Sequence, residues 1–417
     1  MILNLFKEKK VLILGYGIEG KATESFIRTR FPDIKCGIAD QSDGPDYLKK
    51  QLDYDLVIKT PGIPKRFVTK PYTTATNIFF ESVSRNQIIG VTGSKGKSTT
   101  ASLIAHILRS SYNDVRLVGN IGTPVLSSLE LPYSTDTLFV FELSSYQLDD
   151  LKYSPHISII VSLFPEHIPY HGSVENYYEA KRNIIGHANA NDYYIYNDTF
   201  KLLQTWAKDF QGTACPYEKD LVPTNTMLIG EHNTDNIRGA ITAARLFNIS
   251  DKDIIRCVSA FQPLPHRLEC VGEFDGIIFY DDAISTAPES TIAAIRALPN
   301  TDAIFLGGEN RGFSFLKLAE ELAKHHIGNI VLFPDSGKEI ASAIKTIKDY
   351  SPRILKTNDM SAAVQFAYTY TKKGAVCLLS TASPSYSIWK NYKEKGSQFQ
   401  TLVKYYAKKN QNTKASS

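Results

Sequence analysis

The chain reads as an α/β protein of three domains, each built on a mostly parallel sheet. Three observations predict this. Strand-length apolar runs alternate with helical patterns along most of the chain. Two strand-to-helix junctions carry glycine-rich turns, Gly15-Tyr-Gly17-Ile-Glu-Gly20 and Gly93-Ser-Lys-Gly-Lys-Ser98. The length, 417 residues, exceeds the about 100–200 residues of a single domain. The expected boundaries are 1–88 for a Rossmann-like domain, 89–265 for a central domain of P-loop ATPase type, and 266–417 for a second Rossmann-like domain.

In the first segment, Lys10-Val-Leu-Ile-Leu-Gly15 has the look of a buried strand, followed by a helix over Ala22 to Arg30. A second strand, Lys35–Ala39, ends at Asp40. G-x-G-x-x-G with an acid about 20 residues on is the dinucleotide fingerprint. It admits a nicotinamide cofactor or a nucleotide-diphosphate sugar equally well. A third strand, Leu56–Lys59, runs into Thr60-Pro-Gly-Ile-Pro64, at a carboxyl end where open α/β sheets bind ligands.

The second segment opens on Gly90-Val-Thr-Gly-Ser-Lys-Gly-Lys-Ser-Thr-Thr100, after Ile88-Ile89 and before a helical pattern. Strand, glycine turn and helix N-terminus make an anion cradle, because loop N–H groups and the helix dipole point the same way. Gly93 and Gly96 let the backbone approach a polyphosphate, Lys97 can reach its outer phosphates, and Ser98 can ligate Mg²⁺. The strand Thr137–Glu142 ends in an acid, the layout that holds Mg²⁺ opposite a phosphate loop. Asn120 lies in a turn suited to hydrogen-bonding a substrate. His167 follows the strand Ile157–Ser162 at the same sheet edge, and Ser173 caps a helix bearing Lys181. Gly230-Glu-His-Asn233-Thr-Asp-Asn236 precedes a helix over Ile237 to Phe247; its amides could bind a purine, or Asn233 or Thr234 could cap the helix.

Beyond the proline-bearing stretch Phe261–Glu269, strands and helices alternate again. Polar loops follow the strands at 281–286, 307–311 and 380–386, and three such loops suit a small-molecule site. The polar stretch Lys404 to Ser417 is expected to fray beyond the last helix.

Composition narrows the class. Hydrophobic residues make 43% and charged residues 22%, as in ordinary globular chains. A net charge of +4 is too mild to argue for nucleic acid, and fits an enzyme with anionic substrates. Five scattered cysteines without metal spacing predict reduced thiols in a cytoplasmic protein. The apolar run at the start is too short for a signal peptide, and none approaches the ~20 residues of a spanning helix, so no membrane insertion is expected.

Together these stretches resemble the Mur ligases of peptidoglycan synthesis over nearly the whole chain. Gly93-Ser-Lys-Gly-Lys-Ser-Thr99 is similar to the family's phosphate loop, and Phe141-Glu-Leu-Ser-Ser-Tyr-Gln-Leu148 to its Glu-Leu-Ser-Ser-Phe-Gln-Leu. His232-Asn-x-x-Asn236, Leu264-Pro-His-Arg-Leu-Glu269 and Trp389-Lys-Asn-Tyr-Lys-Glu-Lys-Gly396 also match. The resemblance implies an ATP-dependent amide ligase joining glutamate, D-glutamate by family default, to UDP-N-acetylmuramoyl-L-alanine through an acyl-phosphate. It implies ATP and two Mg²⁺ ions as cofactors. Residues 1–88 would bind the UDP-substrate, 89–265 ATP, and 266–417 the amino acid, in a chain working as a monomer.

Residue by residue, the resemblance implies that Gly93, Ser94, Lys95, Gly96, Lys97, Ser98 and Thr99 hold the ATP phosphates. Ser98, Glu142, His167 and Lys181, the last as a carbamate, would hold the metals. Asn233, Asn236, Arg267 and Asp282 would contact the nucleotide. Gly17, Ile18, Asp40 and Asn120 would hold the UDP-substrate, and Arg311, Ser385, Tyr386 and Tyr392 the incoming glutamate. The chain departs from the family in three places. Glu166-His167-Ile168-Pro169 stands for Asp-His-Leu-Asp, Ile284 for a lysine, and Arg311 for a lysine. The alternatives are an L-glutamate-adding variant, a ligase of the folylpolyglutamate synthase kind, an NAD-dependent oxidoreductase argued from Gly15 and Gly17, and a P-loop binding protein without chemistry. The last two leave the second loop, or Glu142, His167 and Lys181, without a task.

Overall fold

The computed structural model describes residues 5–415, and the chain divides into two compact units. One comprises 1–226 and 233–261, the other 227–232 and 262–417. The last break falls between Phe261 and Gln262, in the proline-bearing stretch.

The first unit holds two sheets. β1 (Val11–Leu14), β2 (Cys36–Ala39), β3 (Leu56–Lys59) and β4 (Tyr72–Thr73) pair in the order β2-β1-β3-β4, all parallel. Helix α1 (Ile18–Arg30) starts at the G-x-G turn itself, four residues before the expected start at Ala22. The second sheet contains β5 (Ile88–Thr92), β6 (Val115–Gly119), β7 (Leu138–Glu142), β8 (Ile157–Ile160), β9 (Tyr193–Tyr196) and β10 (Thr213–Pro216). Its order is β10-β9-β8-β5-β7-β6, and every pairing is parallel. Continuous apolar runs such as Ile88-Ile89 and Leu138–Phe141 follow from burial on both faces. Helices α2 (Lys97–Leu108), α3 (Val174–Arg182) and α4 (Glu231–Arg245) are the ones that matter for the site.

One core joins the two sheets. Val11, Ile13 and Phe26 share a cluster with Ile78, Phe79, Phe139 and Phe141. Phe79 meets the rings of Phe139 and Phe141 at 5.1 and 5.5 Å. A buried ion pair reinforces the junction: Lys59 Nζ lies 2.6 Å from Asp150 Oδ2, and both side chains are almost fully buried. Lys59 also donates to the Ile63 carbonyl, and Tyr72 donates to Asp150 Oδ1. Removing one partner strands the other charge in the core. Lys59→Ala should therefore cost about 3–5 kcal/mol, read as a lower urea midpoint with the slope unchanged. A cost below ~1 kcal/mol would mean that water reaches the pair.

The second unit is a sheet of β11 (Glu269–Phe274), β12 (Ile277–Asp281), β13 (Thr301–Gly307), β14 (Asn329–Phe333), β15 (Arg353–Lys356) and β16 (Val376–Leu379). Its order is β11-β12-β16-β13-β14-β15, parallel except for the β11–β12 hairpin. Side chains alternate across it. Ile304 and Leu306 face one cluster, Ala303 and Phe305 the other. Helix α5 (Tyr392–Ala415) covers the second face through Phe399 and Val403. The fraying expected from Lys404 onward is corrected: these residues continue the helix to Ala415, because every third or fourth residue before it, Phe399, Val403 and Ala407, is buried.

Candidate active site

Three adjacent parallel strands, β7, β5 and β8, end on one edge of the central sheet. Each delivers one part of the site at or beyond its carboxyl end. β5 ends at Thr92, and the phosphate loop turns into α2 at Gly96, whose φ of 86° suits glycine. A Cβ there would lie 2.2 Å from Asn236 Oδ1 and 2.7 Å from Val161 Cγ1, so the position is closed to side chains sterically as well. The loop is fastened to the chain after β8. Ser94 N–H donates to the Ser162 carbonyl, and Lys95 N–H to Ser162 Oγ, both at 2.9 Å. Ser94 Oγ donates to the Phe164 carbonyl and accepts from Tyr177 OH.

Lys97 Nζ donates to the carbonyls of Gly93 and Ser94, each at 2.9 Å. The Gly93 carbonyl also accepts from Lys181 Nζ at 2.8 Å. Lys181 is buried in the last turn of α3, which starts at the Ser173 cap as the sequence predicts. Its ammonium lies 5.0 Å over the Tyr177 ring. Burial, then the neighbouring charges of Lys97 and Lys95, hold Lys181 well below the usual amine range, although Glu166 and Glu142 oppose this. The neutral amine it favours is the form that adds CO₂.

Glu142, the last residue of β7, is fully buried. Its Oε1 accepts from Asn120 Nδ2 at 3.3 Å, and its Oε2 is buried with no hydrogen-bond partner. An orphaned carboxylate oxygen beside a phosphate loop fits a hard cation. Asn120 thus holds this carboxylate, which the sequence did not reveal. His167 has a left-handed backbone, φ 55°, and a half-exposed ring against Tyr146. Burial, then Lys97, Lys95 and Lys181, lower its pKa and favour the neutral imidazole that can ligate a metal, against the opposing Glu166 carboxylate. Glu166, at the first departure from the family motif, pairs with Lys95 at 2.6 Å. Tyr170, two residues beyond Ile168, donates to the Pro61 carbonyl at 3.0 Å and ties this loop to the first sheet.

Asn233 and Asn236 lie inside α4, which begins at Glu231, so neither Asn233 nor Thr234 is its cap. Both are buried. Asn236 Oδ1 accepts from Thr100 Oγ1 at 3.3 Å, and its Nδ2 donates to Asn233 Oδ1 at 2.9 Å. Asn236 therefore buttresses the phosphate loop directly. At the G-x-G turn, Asp40 accepts from Tyr16 N–H at 2.7 Å and from Ser42 N–H, which hold its carboxyl below the usual range. Gly17 caps α1 and Ile18 is exposed beside it. Glu19, which the sequence did not single out, follows in the same turn.

In the second unit, Asp282 is buried at the end of β12. It accepts from Leu268 N–H at 3.2 Å and Ser380 Oγ at 2.8 Å, and burial pushes its carboxyl up to about 7. Arg267 is half-buried next to His266, whose Nδ1 lies 2.7 Å from Asp281 Oδ2. Arg311 pairs with Glu309 and sits 5.9 Å from the exposed Tyr386 ring. Ser385 Oγ is buried and has no hydrogen-bond partner. Tyr392 opens α5 with its ring 6.1 Å from His266. A second cation that the sequence did not flag is Lys395. It is buried, donates to Thr381 Oγ1 at 2.5 Å, and is lowered to about 7 by burial, against the carboxylates of Asp281 and Asp282.

Known proteins resemble this chain over most of its length. Residues 91–219 match the Mur ligase middle domain and 266–382 the Mur ligase glutamate ligase domain. The chain is 31% identical over 452 residues to the UDP-N-acetylmuramoylalanine--D-glutamate ligase of Streptococcus agalactiae, covering 95% of this chain and 97% of that one. It is 27% identical over 460 residues to the protein of the same name from Natranaerobius thermophilus, covering 96% and 99%. Among solved structures, the fold resembles the MurF ligase of Thermotoga maritima in complex with ADP, with a TM-score of 0.61, 16% identity and coverage of 86% and 92%. It equally resembles the UDP-N-acetylmuramate-alanine ligase MurC of Thermotoga maritima, with a TM-score of 0.61, 16% identity and coverage of 96% and 100%. No described helix is long and apolar enough to cross a membrane. With full-length identity above 30% and both domain models in order, the chain belongs to the Mur ligase family.

Proposed function

We propose that the chain is an ATP-dependent ligase that adds D-glutamate to UDP-N-acetylmuramoyl-L-alanine in peptidoglycan precursor synthesis. One observation carries the chemistry: Lys97, Lys181 and Glu142 converge on a phosphate loop at a single sheet edge. A nucleotide-hydrolysing switch has no use for a buried, neutralised lysine there; a carboxylate-activating ligase does. The similarity to D-glutamate ligases over almost the whole chain supports the substrate pair.

The alanine carboxylate attacks the γ-phosphorus of ATP in line, the β–γ bridging bond breaks, and ADP leaves. Lys97 moves from its loop carbonyls to the transferring oxygens and offsets their charge. The amine of glutamate then attacks the acyl carbon, phosphate departs, and an amide remains. Ser98, Glu142, His167 and a carbamate on Lys181 would hold Mg²⁺, which when bound neutralises phosphate charge. Gly17, Ile18 and Asp40 hold the uridine diphosphate. Arg267, Asp282, Asn233 and Asn236 serve the nucleotide, while Arg311, Ser385, Tyr386 and Tyr392 serve glutamate. Arg311 supplies a fixed guanidinium where the family has an ammonium, so one amino-acid carboxylate can be held in two parallel hydrogen bonds.

The test is phosphate release with UDP-N-acetylmuramoyl-L-alanine, ATP, Mg²⁺ and a panel of amino acids. Release with D-glutamate and not with L-glutamate is expected. Silence across the whole panel would sink the reading, and release with L-glutamate alone would correct the stereochemistry.

A further inference from the structure

Lys395 is a buried cation that the ligase chemistry leaves without a task. It lies in the first turn of α5, the end of a helix where a positive charge is least favourable, and its side chain is fully buried. The helix start is held tightly. A Cβ at Gly396 would lie 2.2 Å from His266 Nδ1 and 2.6 Å from Asp281 Oδ2, so no side chain fits there. Lys395 Nζ donates to Thr381 Oγ1 at 2.5 Å and lies 6.0 Å from the centre of the Trp389 ring. The charges of Asp281 and Asp282, at and just past the end of β12, favour its ammonium form.

Thr381 is the second residue of the loop 380–386, which follows β16. A hydroxyl has one proton to give and two lone pairs. An ammonium only donates, so Thr381 Oγ1 accepts from it and turns its own proton to the Ser383 carbonyl, at 3.0 Å. That bond closes the turn at Ala382, whose φ of 54° is left-handed and unfavourable for a residue with a Cβ. The loop is also tied to its neighbour. Gly307 N–H donates to the Thr381 carbonyl and Glu309 N–H to the Pro384 carbonyl, both at 2.8 Å.

Resting on the ligase reading, which gives this loop to glutamate, we infer that Lys395 is a positioning residue for the amino-acid step. Through Thr381 it holds the turn at Ala382, and with it the loop that carries Ser385 and Tyr386. Without the lysine the Thr381 hydroxyl rotates, the Ser383 carbonyl loses a fixed donor, and the strained turn relaxes. Phosphate transfer to the alanine carboxylate needs no amino acid. The effect therefore falls on the second half of the reaction and spares the first.

The experiment measures the two halves separately on the full chain. Lys395→Met removes the donor and keeps an unbranched side chain; Thr381→Val removes the acceptor and keeps the shape. Acyl-phosphate formed from ATP and UDP-N-acetylmuramoyl-L-alanine without glutamate is trapped by borohydride reduction. Phosphate release is then followed against glutamate concentration. In each variant trapping should match wild type, while KM for glutamate rises about tenfold, the size expected for one charge-assisted hydrogen bond. The double variant should be no worse than the single ones, because both remove the same contact. Either variant reads the contact alone if the other does not fold, and misfolding of both would make the contact structural and overturn the role. An unchanged KM in a folded variant, or trapping and release that fall together, would also overturn the role of Lys395 while leaving the ligase reading intact. Failure of wild type both to form a trappable acyl-phosphate and to release phosphate would overturn the ligase reading, and this inference with it.

Discussion

Lys97→Ala will abolish ATP-dependent ligation and leave the chain folded. Lys97 Nζ donates to the carbonyls of Gly93 and Ser94. Losing these bonds costs about 1–2 kcal/mol, a small part of the stability of a chain this size. The Gly93 carbonyl keeps Lys181 as a donor, so it is not stranded. The catalytic loss is of another order. A cation aimed at the charge that develops on the transferring phosphoryl group contributes about 10²–10³-fold in kcat or more. Phosphate release and a thermal melt on the same preparation check both halves. Near-normal turnover would refute the assignment of the phosphate loop, whereas a collapsed melting temperature would show that Lys97 is structural.

Lys181→Ala will be nearly inactive, and small carboxylic acids such as formate or acetate will restore part of the activity. The reasoning starts from burial. An ammonium in the core beside Lys97 and Lys95 is disfavoured, and its proton is lost readily. The resulting amine can add CO₂ to form an anionic carbamate, whose oxygens suit a hard metal ion. Alanine leaves room where that anion stood, and a diffusible carboxylate can fill it. The expected loss is on the order of 10²-fold or more. Lys181→Arg keeps a cation but cannot become a carbamate, and should be inactive and refractory to rescue. Full activity in the unaided alanine variant would remove the carbamate from the scheme.

Much of this arrangement was legible in the residues. The strands at Val11, Leu56, Ile88, Leu138 and Ile157 are short apolar runs, and their buried faces leave no other reading. Lys97, Glu142 and His167 were readable because each follows such a run, and parallel strands put their carboxyl ends on one edge. The short edge strands were not: Arg353–Lys356 is largely exposed and carries charges at both ends, so no apolar run announces it. The antiparallel Glu269–Phe274 was missed because its alternation is broken by a bulge between Cys270 and Gly272. Side-chain partnerships lay further out of reach. That Asn120 holds Glu142, or that Asn236 braces Thr100, depends on contacts between residues far apart in the chain. Glu19 carried no signal of its own either, since the contact of its carboxyl with Gln147 joins residues far apart in the chain.

The all-parallel pairing of the central sheet bears on how the protein is made. A parallel pair cannot close through a tight turn; each needs a crossover connection. Gly90 must find Phe141 on one side and Ser158 on the other before the edge that carries the site exists. Loop-closure entropy is spent before those contacts give anything back, so such pairings form slowly. Lys181 adds its contact with Gly93 from later still in the chain. On the ribosome, the phosphate loop is therefore synthesised long before the strands that shape it. A newly made chain passes through a period in which its apolar strands are exposed and its catalytic groups are still apart.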